Sequence, residues 1–285
     1  MATTIPTTTA STRPSNPSTG DAYFETDTKK YIIYDGTDWR GWNNDGIAAA
    51  PLTNTYSVDI DGVDDYVDIG SIGSAGRALG CLALWVNTDT VIQTNSTSAR
   101  GVFVSWGSAT TQGFTHGYFS SGDRLLNYRS ASANKSWWTV GTNKSLSAGW
   151  HHLVLNHNGT GYTFYVDGDL ASNHILGGTI TVGSESVLSG TAIDNFKIGI
   201  GNSSSFPTGG LYDEVAIWDS ALTATQISEI YNSGVPISLA SYSPDGWWRM
   251  GDNDGVTGTT ITDQSGNGND GTLTNGPTFS TSVPS

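Results

Sequence analysis

Apolar residues along this chain recur in short alternating stretches and brief runs, punctuated by Gly, Asn and Asp. That pattern predicts β-strands joined by tight turns. In SVDIDGVDDYVDIG (57–70) a turn at Asp61-Gly62 separates two short strands. CLALWV (81–86) is continuously apolar, as a strand inside a sandwich would be. GVFVSW (101–106) and FTHGYF (114–119) read as further strands. In the stretch 150–171, Leu153 and Leu155 share one strand face and Asn158-Gly159 reverses the chain. Tyr162, Phe164 and Val166 then share a face of the next strand, and Asp167-Gly168 turns again. FKIGIG (196–201) and GGLYDEVAIW (209–218) complete the series. One helix is marked, over about 224–232: Thr223 is the N-cap, Gln226 completes a capping box, and Leu222 with Ile227 forms a hydrophobic staple. Ile227, Ile230 and Tyr231 share its buried face, and Gly234 ends it.

Composition agrees with an all-β chain. Of 285 residues, 36 are Gly and 36% are hydrophobic, a mix that suits many short strands. Ten Trp and twelve Tyr belong either in a sandwich core or on a binding face. The net charge of −14 comes without any basic stripe, which argues against a nucleic-acid partner. Cys81 is the single cysteine, so no intrachain disulfide forms, and its apolar run predicts a buried, inert thiol. The first twenty residues carry no basic start and no apolar core of a signal peptide, and no run approaches the length of a membrane helix. The expectation is a protein made in a cytoplasm, not exported by the general secretory route, and not inserted in a membrane.

Residues 1–19 form a Thr/Ser/Pro arm, expected to be extended or disordered by itself. Residues 20–46 hold a small β meander with strands YFET and KYIIY and a turn at Asp35-Gly36. Pro17, Gly20-Asp21, Tyr23-Phe24, Thr26-Asp27-Thr28 and Tyr34–Trp39 together resemble a segment of tailed-phage structural proteins. The main domain spans 52–235. Its blocks DGVDDYVDIG (61–70), WHHLVLNHNGTGYTFYVDG (150–168) and GGLYDEVAIWDSALTATQISEIYNSG (209–234) resemble the laminin-G-like, concanavalin-A-like domain. The resemblance implies an all-β, two-sheet antiparallel jelly-roll sandwich, a fold that hosts lectins, adhesins, hydrolases and inert modules alike.

Residues 241–285 contain WWRMGDNDGVTGTTITDQSGNGNDGTL, an element that in this family precedes the first block. Trailing the domain, it can complete its own sandwich, add strands to a neighbouring subunit, or be the remnant of a second domain. In the first two cases Trp247 and Trp248 plug a core. The trailing order is itself similar to virion proteins of marine tailed phages.

Glycoside hydrolysis needs two carboxylates flanking the bond at a defined separation. The four Glu residues are Glu25, Glu185, Glu214 and Glu229, and none forms the alternating acidic string that hydrolases of this fold carry. Glu214 follows Asp213, so strand alternation places the two on opposite faces. His151, His152 and His157 cluster without acidic or Cys metal-ligand spacing. The chain is therefore expected not to be an enzyme. Calcium is the better ionic reading: the resemblance implies Asp213 as a ligand, with Asp61 and Gly62 as turn partners. The alternative for Asp213 is a buried carboxylate held by N–H groups. Asp252, Asp254, Asp263 and Asp270 form a second acidic cluster that Asx-turn chemistry alone can explain. Trp137, Trp138 and Trp106 are the candidate sugar-stacking rings, and one of the adjacent pair should face inward.

These readings converge on a virion structural protein on the outside of a tailed phage, as capsid decoration, head fibre or tail fibre. The N-terminal arm would meet other virion proteins, the jelly roll would bind host glycans, and copies would form a homo-oligomer, by analogy with phage fibres a trimer. The alternative is a calcium-dependent carbohydrate-binding adhesin of a bacterial surface.

Overall fold

The computed structural model describes residues 6–9, 12–25, 30–34, 36–37, 39–42, 52–72, 79–87, 100–106, 113–118, 124–129, 137–139, 149–157, 162–170, 180–181, 193–201 and 207–285. The turn at Asn158-Gly159, the Thr26–Thr28 motif, and Asp35 and Asp38 lie outside them. Two compact units are present, Met1–Leu52 and Thr53–Ser285.

The first unit is a four-stranded sheet in the order β1 (Thr7–Thr8), β2 (Ala22–Glu25), β3 (Lys30–Tyr34), β4 (Trp39–Trp42). The expected meander is β2–β4. The arm contributes a strand of its own, with Thr7 and Thr8 pairing in parallel to Phe24 and Glu25. Polar edge groups of β2 are thereby satisfied, which gives this stretch of the arm a definite path.

The second unit is a two-sheet antiparallel jelly-roll sandwich. Its strands are β5 (Ser57–Ile60), β6 (Tyr66–Ile72), β7 (Cys81–Asn87), β8 (Arg100–Ser105), β9 (Gly113–Tyr118), β10 (Arg124–Arg129), β11 (Trp137–Thr139), β12 (Trp150–His157), β13 (Tyr162–Val166), β14 (Asp169–Leu170), β15 (Ile180–Thr181), β16 (Ile193–Ile198), β17 (Gly210–Trp218), β18 (Gly246–Trp248), β19 (Thr260–Ile261), β20 (Gly271–Thr274) and β21 (Thr278–Ser280). One sheet runs β15-β11-β10-β9-β8-β16-β6-β20-β19; the other runs β14-β13-β12-β7-β17-β5-β21, with β18 also on β17.

The core lies between the sheets. Leu82, Leu84 and Val86 of β7, Leu153 and Leu155 of β12, and Phe164 and Val166 of β13 enter it from one side. Val67, Ile69, Phe103, Phe196 and Ile198 enter from the other. Cys81 is free and buried, and burial pushes its thiol far up. Gly80 is required by packing: a Cβ there would lie 2.3 Å from the Ser220 carbonyl carbon.

The C-terminal segment pairs within this chain. Trp248 pairs with Val215 of β17, Thr272 of β20 with Asp68 of β6, and Phe279 of β21 with Val58 of β5. Trp248 is fully buried and stacks on Phe196 at 5.6 Å.

Helix α1 (Ala224–Tyr231) carries the expected capping box: Gln226 N–H donates to Thr223 Oγ1, and Thr223 N–H to Gln226 Oε1. It stops at left-handed Asn232, two residues before Gly234. Tyr231 stacks on Trp85, so α1 covers the outer side of the sheet that contains β7 and β17. Among the described residues no helix is long and apolar enough to cross a membrane.

Candidate functional site

The β5–β6 turn gathers Asp61, Asp64 and Asp65, with carboxylate oxygens within 4.8 Å of one another. Gly62 takes φ 76° and allows the tight reversal. Asp61 Oδ1 accepts from the Val63 N–H at 2.7 Å, and Asp65 Oδ2 accepts from the Asp61 N–H at 3.3 Å. Asn275, from the C-terminal segment, donates its amide to the Asp64 carbonyl at 2.8 Å. Asp61 and Asp64 are exposed while Asp65 is buried. Burial raises the Asp65 carboxyl above the usual range; the Asp61 N–H opposes this, and the charges of Asp61 and Asp64 add to it. Three converging carboxylates form a negative oxygen donor set of the kind that holds a hard divalent cation, with carbonyls or waters completing six to eight ligands.

Asp213 stands apart from this turn. Gly210 pairs with Ile60 and Tyr212 with Val58, so Asp61 and Asp213 lie on different sides of that pairing. The separation is four residues of strand, or roughly 14 Å at a rise of about 3.4 Å per residue. The resemblance-derived grouping of Asp213 with Asp61 and Gly62 is therefore corrected: the turn's companions are Asp64 and Asp65. Asp213 is fully buried; its Oδ2 accepts from Asn54 Nδ2 and its Oδ1 from the Glu214 N–H, both at 2.8 Å. It is the carboxylate held by protein donors.

Glu214 departs from the expected alternation. Asp213 pairs with Trp85 and Ala216 with Ala83, so β17 carries an extra residue, and Glu214 takes φ 43°. The bulge buries both carboxylates. Glu214 Oε2 accepts from Trp247 Nε1 at 2.6 Å and Oε1 from Arg249 Nε at 2.9 Å. Arg249 also donates to the Thr53 carbonyl at 2.6 Å and to Asp252 Oδ2 at 3.3 Å. Asp252 in turn accepts from the Thr55 N–H at 2.9 Å.

The remaining acidic residues of the C-terminal segment organise loops. Asp263 accepts from the N–H groups of Trp247, Ser265 and Asn269, and these hydrogen bonds lower its carboxyl against the opposing pull of burial. Asp254 accepts from the Thr262 N–H and Asp270 from the Asp263 N–H. Of these bonds only the one from the Ser265 N–H to Asp263 has the two-residue span of an Asx turn; the others join positions six to sixteen residues apart, so Asx-turn chemistry alone does not account for the cluster.

Trp106 is 1% exposed and stacks on Phe196 in the core, which corrects its reading as a sugar platform: it follows directly on β8 and lies between the sheets. Trp137 pairs with Asn127 and Thr181, and Trp138 with Leu126 and Ile180, in the sheet of β6 and β16; their side chains lie outside the described residues. His152 is buried against Trp85, and burial lowers it to about 4. His151 Nδ1 meets Asp167 Oδ2 at 2.7 Å. Sequence reasoning missed Arg249 and Asn54 as partners of the buried carboxylates. It also passed over Asp64 and Asp65, although the five-residue string DGVDD announces them.

A sandwich of this topology with an acidic turn defines a concanavalin-A-like module. A laminin-G-type family model, described as the concanavalin A-like lectin/glucanases superfamily, matches residues 61–228, and the chain belongs to that superfamily. No curated protein matches the chain. Among solved structures, a candidate carbohydrate-binding protein from Bacteroides ovatus superposes with a TM-score of 0.56 at 15% identity, covering 94% of this chain and 71% of its own. The heptameric SAP-like pentraxin of Limulus polyphemus gives 0.44 at 15% identity, over 64% of this chain and 84% of its own. Domain 4 of an extracellular arabinanase from Geobacillus stearothermophilus, bound to arabinotriose, gives 0.41 at 18% identity, over 65% and 81%. The first of these shows the fold; the other two are too distant to carry an argument.

Proposed function

We propose that the protein is a non-catalytic display protein whose jelly roll binds glycans with the help of a calcium ion at Asp61, Asp64 and Asp65. The superfamily embraces both lectins and glucanases. What favours the first is the disposition of carboxylates. Asp213, Glu214 and Asp252 are 0%, 3% and 7% exposed and bonded to protein donors, so they offer no pair to flank a glycosidic bond. Among the described residues, the carboxylates that gather at the surface instead share one turn, where Asp61 and Asp64 are exposed. The Bacteroides ovatus protein of the same fold is itself described as a candidate carbohydrate-binding protein.

The test is glycan-array binding of the full chain in calcium and in EDTA, with an Asp61→Asn/Asp64→Asn variant alongside. Calcium-dependent binding lost in the variant by tenfold or more supports the reading. Binding indifferent to both EDTA and the variant refutes the calcium role, and turnover of a polysaccharide refutes the non-catalytic one.

A second reading sets this module on the outside of a tailed-phage particle and rests on the N-terminal unit. The phage-like motif residues Tyr23-Phe24 fall in β2 and Tyr34 in β3, and the arm adds β1 to them. In this reading the arm attaches to other virion proteins and a homotrimer displays the jelly rolls to host glycans. Immunolabelling of purified particles and light scattering of the isolated chain test it. Unlabelled particles refute the location, and a monomer refutes the trimer.

A further inference from the structure

The outer face of the sheet of β6 and β16 carries a strip of polar side chains. Val67, Ile198, Ile261 and Leu273 point into the core, so their neighbours Asp68, Lys197, Thr260 and Thr272 face outward. Register sets these four in one row across the sheet: Lys197 pairs with Asp68, Asp68 with Thr272, and Thr272 with Thr260. At about 4.8 Å between strands the row is roughly 14 Å long, the span of a short oligosaccharide. Tyr66, two residues before Asp68, shares its face and pairs with Thr274. Lys197 is the unusual member. It is 8% exposed, yet its ammonium makes no hydrogen bond among the described residues. Asp68 Oδ2 lies at 3.9 Å, beyond hydrogen-bond reach, and the Tyr66 ring centroid at 4.4 Å. The rest of the row is open to solvent: the Asp68 side chain is 37% exposed, and Thr260 and Thr272 are exposed.

We propose, on the glycan-binding reading above, that this strip is a second carbohydrate subsite, independent of calcium, which takes internal units of a neutral polysaccharide lying across β16, β6, β20 and β19. Adjacent hydroxyls of a sugar both donate and accept. Lys197 offers three N–H donors and Asp68 only acceptors, so the pair answers two neighbouring hydroxyls. Asp68 Oδ1 accepts from the Gly70 N–H at 3.0 Å, and Oδ2, the oxygen nearer Lys197, is left for a ligand. The Thr272 and Thr260 hydroxyls continue the row and serve in either role. Tyr66 holds the ammonium from one side by cation–π attraction, so little freedom is lost when a ligand binds. Charge disfavours an acidic saccharide or a phosphate: Asp68 sits beside the ammonium, and the chain carries −14 overall. Tyr66 follows Asp65 directly, so a glycan held at the acidic turn would continue onto the strip.

Titration calorimetry of the full chain tests this with neutral gluco-, xylo- and manno-oligosaccharides from disaccharide to hexasaccharide, in calcium and in EDTA. Affinity should rise with length in at least one series, and that gain should survive EDTA. Lys197→Met should weaken the longer oligomers about tenfold, the worth of a hydrogen bond to a charged group. Asp61→Asn/Asp64→Asn should instead remove the calcium-dependent part of binding, so the two sites fail separately. Asp68→Asn keeps an acceptor for the Gly70 N–H at a partly exposed position and should weaken the longer oligomers several-fold; it decides the matter if Lys197→Met does not fold. Longer oligomers bound by the folded variants as tightly as by the wild type overturn the subsite. So does a length gain that EDTA abolishes, or tighter binding of uronic-acid oligomers than of neutral ones. Failure of every neutral series to bind overturns it too, and glycan-array binding in calcium would then leave the acidic turn as the site.

Discussion

Replacing Arg249 with Met leaves the buried carboxylates of Glu214 and Asp252 without their guanidinium partner and keeps much of the side-chain volume. Arg249 is 5% exposed and bonds Glu214, Asp252 and the Thr53 carbonyl. Its guanidinium also sits 5.9 Å from the Trp247 ring centroid. Removing one partner of a buried ion pair costs about 3–5 kcal/mol, mostly from the charge left behind. A domain stable by about 5–15 kcal/mol loses a large share of that. The cost should depend on pH with a definite sign. Arg249 lowers the Glu214 carboxyl, so without it that carboxyl rises further above its ordinary 4.5. A raised folded-state value means extra stability at low pH that disappears as pH rises. The deficit of Arg249→Met should therefore be small near pH 5 and full near pH 8. Urea unfolding at both values measures it. Adding Glu214→Gln should recover part of the loss at pH 8, because it removes one stranded charge. A deficit under about 1 kcal/mol at pH 8 would refute the assignment of Arg249 as the structural counter-ion. So would a deficit that stays equally large in acid.

Two further substitutions probe how the sandwich is closed. Trp248→Ala removes a fully buried ring stacked on Phe196 and should cost about 3–5 kcal/mol in urea unfolding; a loss below about 1 kcal/mol would mean that the C-terminal segment is not seated in the core. Gly80→Ala puts a methyl 2.3 Å from the Ser220 backbone, which cannot yield as a side-chain tip can, so thermal unfolding should show a drop on the scale of core overpacking, about 1–3 kcal/mol or more; an unchanged midpoint would refute the close approach of those two segments.

Elements whose evidence is local were legible in the sequence. The apolar run at 81–86 became the central strand β7, and the alternation at Leu153, Leu155, Phe164 and Val166 assigned the core faces of β12 and β13. The capping box of Thr223 and Gln226 located the start of α1 because both of its hydrogen bonds lie within four residues. Features that depend on distant chain were not legible. Strand alternation put Asp213 and Glu214 on opposite faces; nothing in YDEVA signals that Glu214 adopts a left-handed conformation, which the bonds from Trp247 and Arg249 hold in place. Asp61 was read from the turn chemistry of Asp-Gly, but its grouping with Asp213 came from resemblance, and register decided otherwise. Trp106 ends an alternating stretch whose pairing partners, β9 and β16, set which way it faces.

The trailing WWRMGD element shows why order along the chain and order in space part company here. β5 and β6 are consecutive in sequence yet lie in different sheets, and the C-terminal segment flanks both: β21 lies outside β5, and β20 and β19 lie outside β6. Without it, β5 and β6 would present unpaired backbone to solvent, the edge that sheet proteins cover. The core would also lose Trp248, Met250, Ile261 and Leu273. The segment lies beyond the stretch 61–228 that matches the superfamily, yet Asn275 within it braces the Asp64 carbonyl, and Asp252 holds the N–H of Thr55. The turn that carries the candidate ligands thus takes part of its shape from residues more than two hundred positions away. On the calcium reading proposed above, a construction that closes the sandwich and steadies its acidic turn with the same strands would make the ion's affinity depend on how firmly the C-terminal segment is docked.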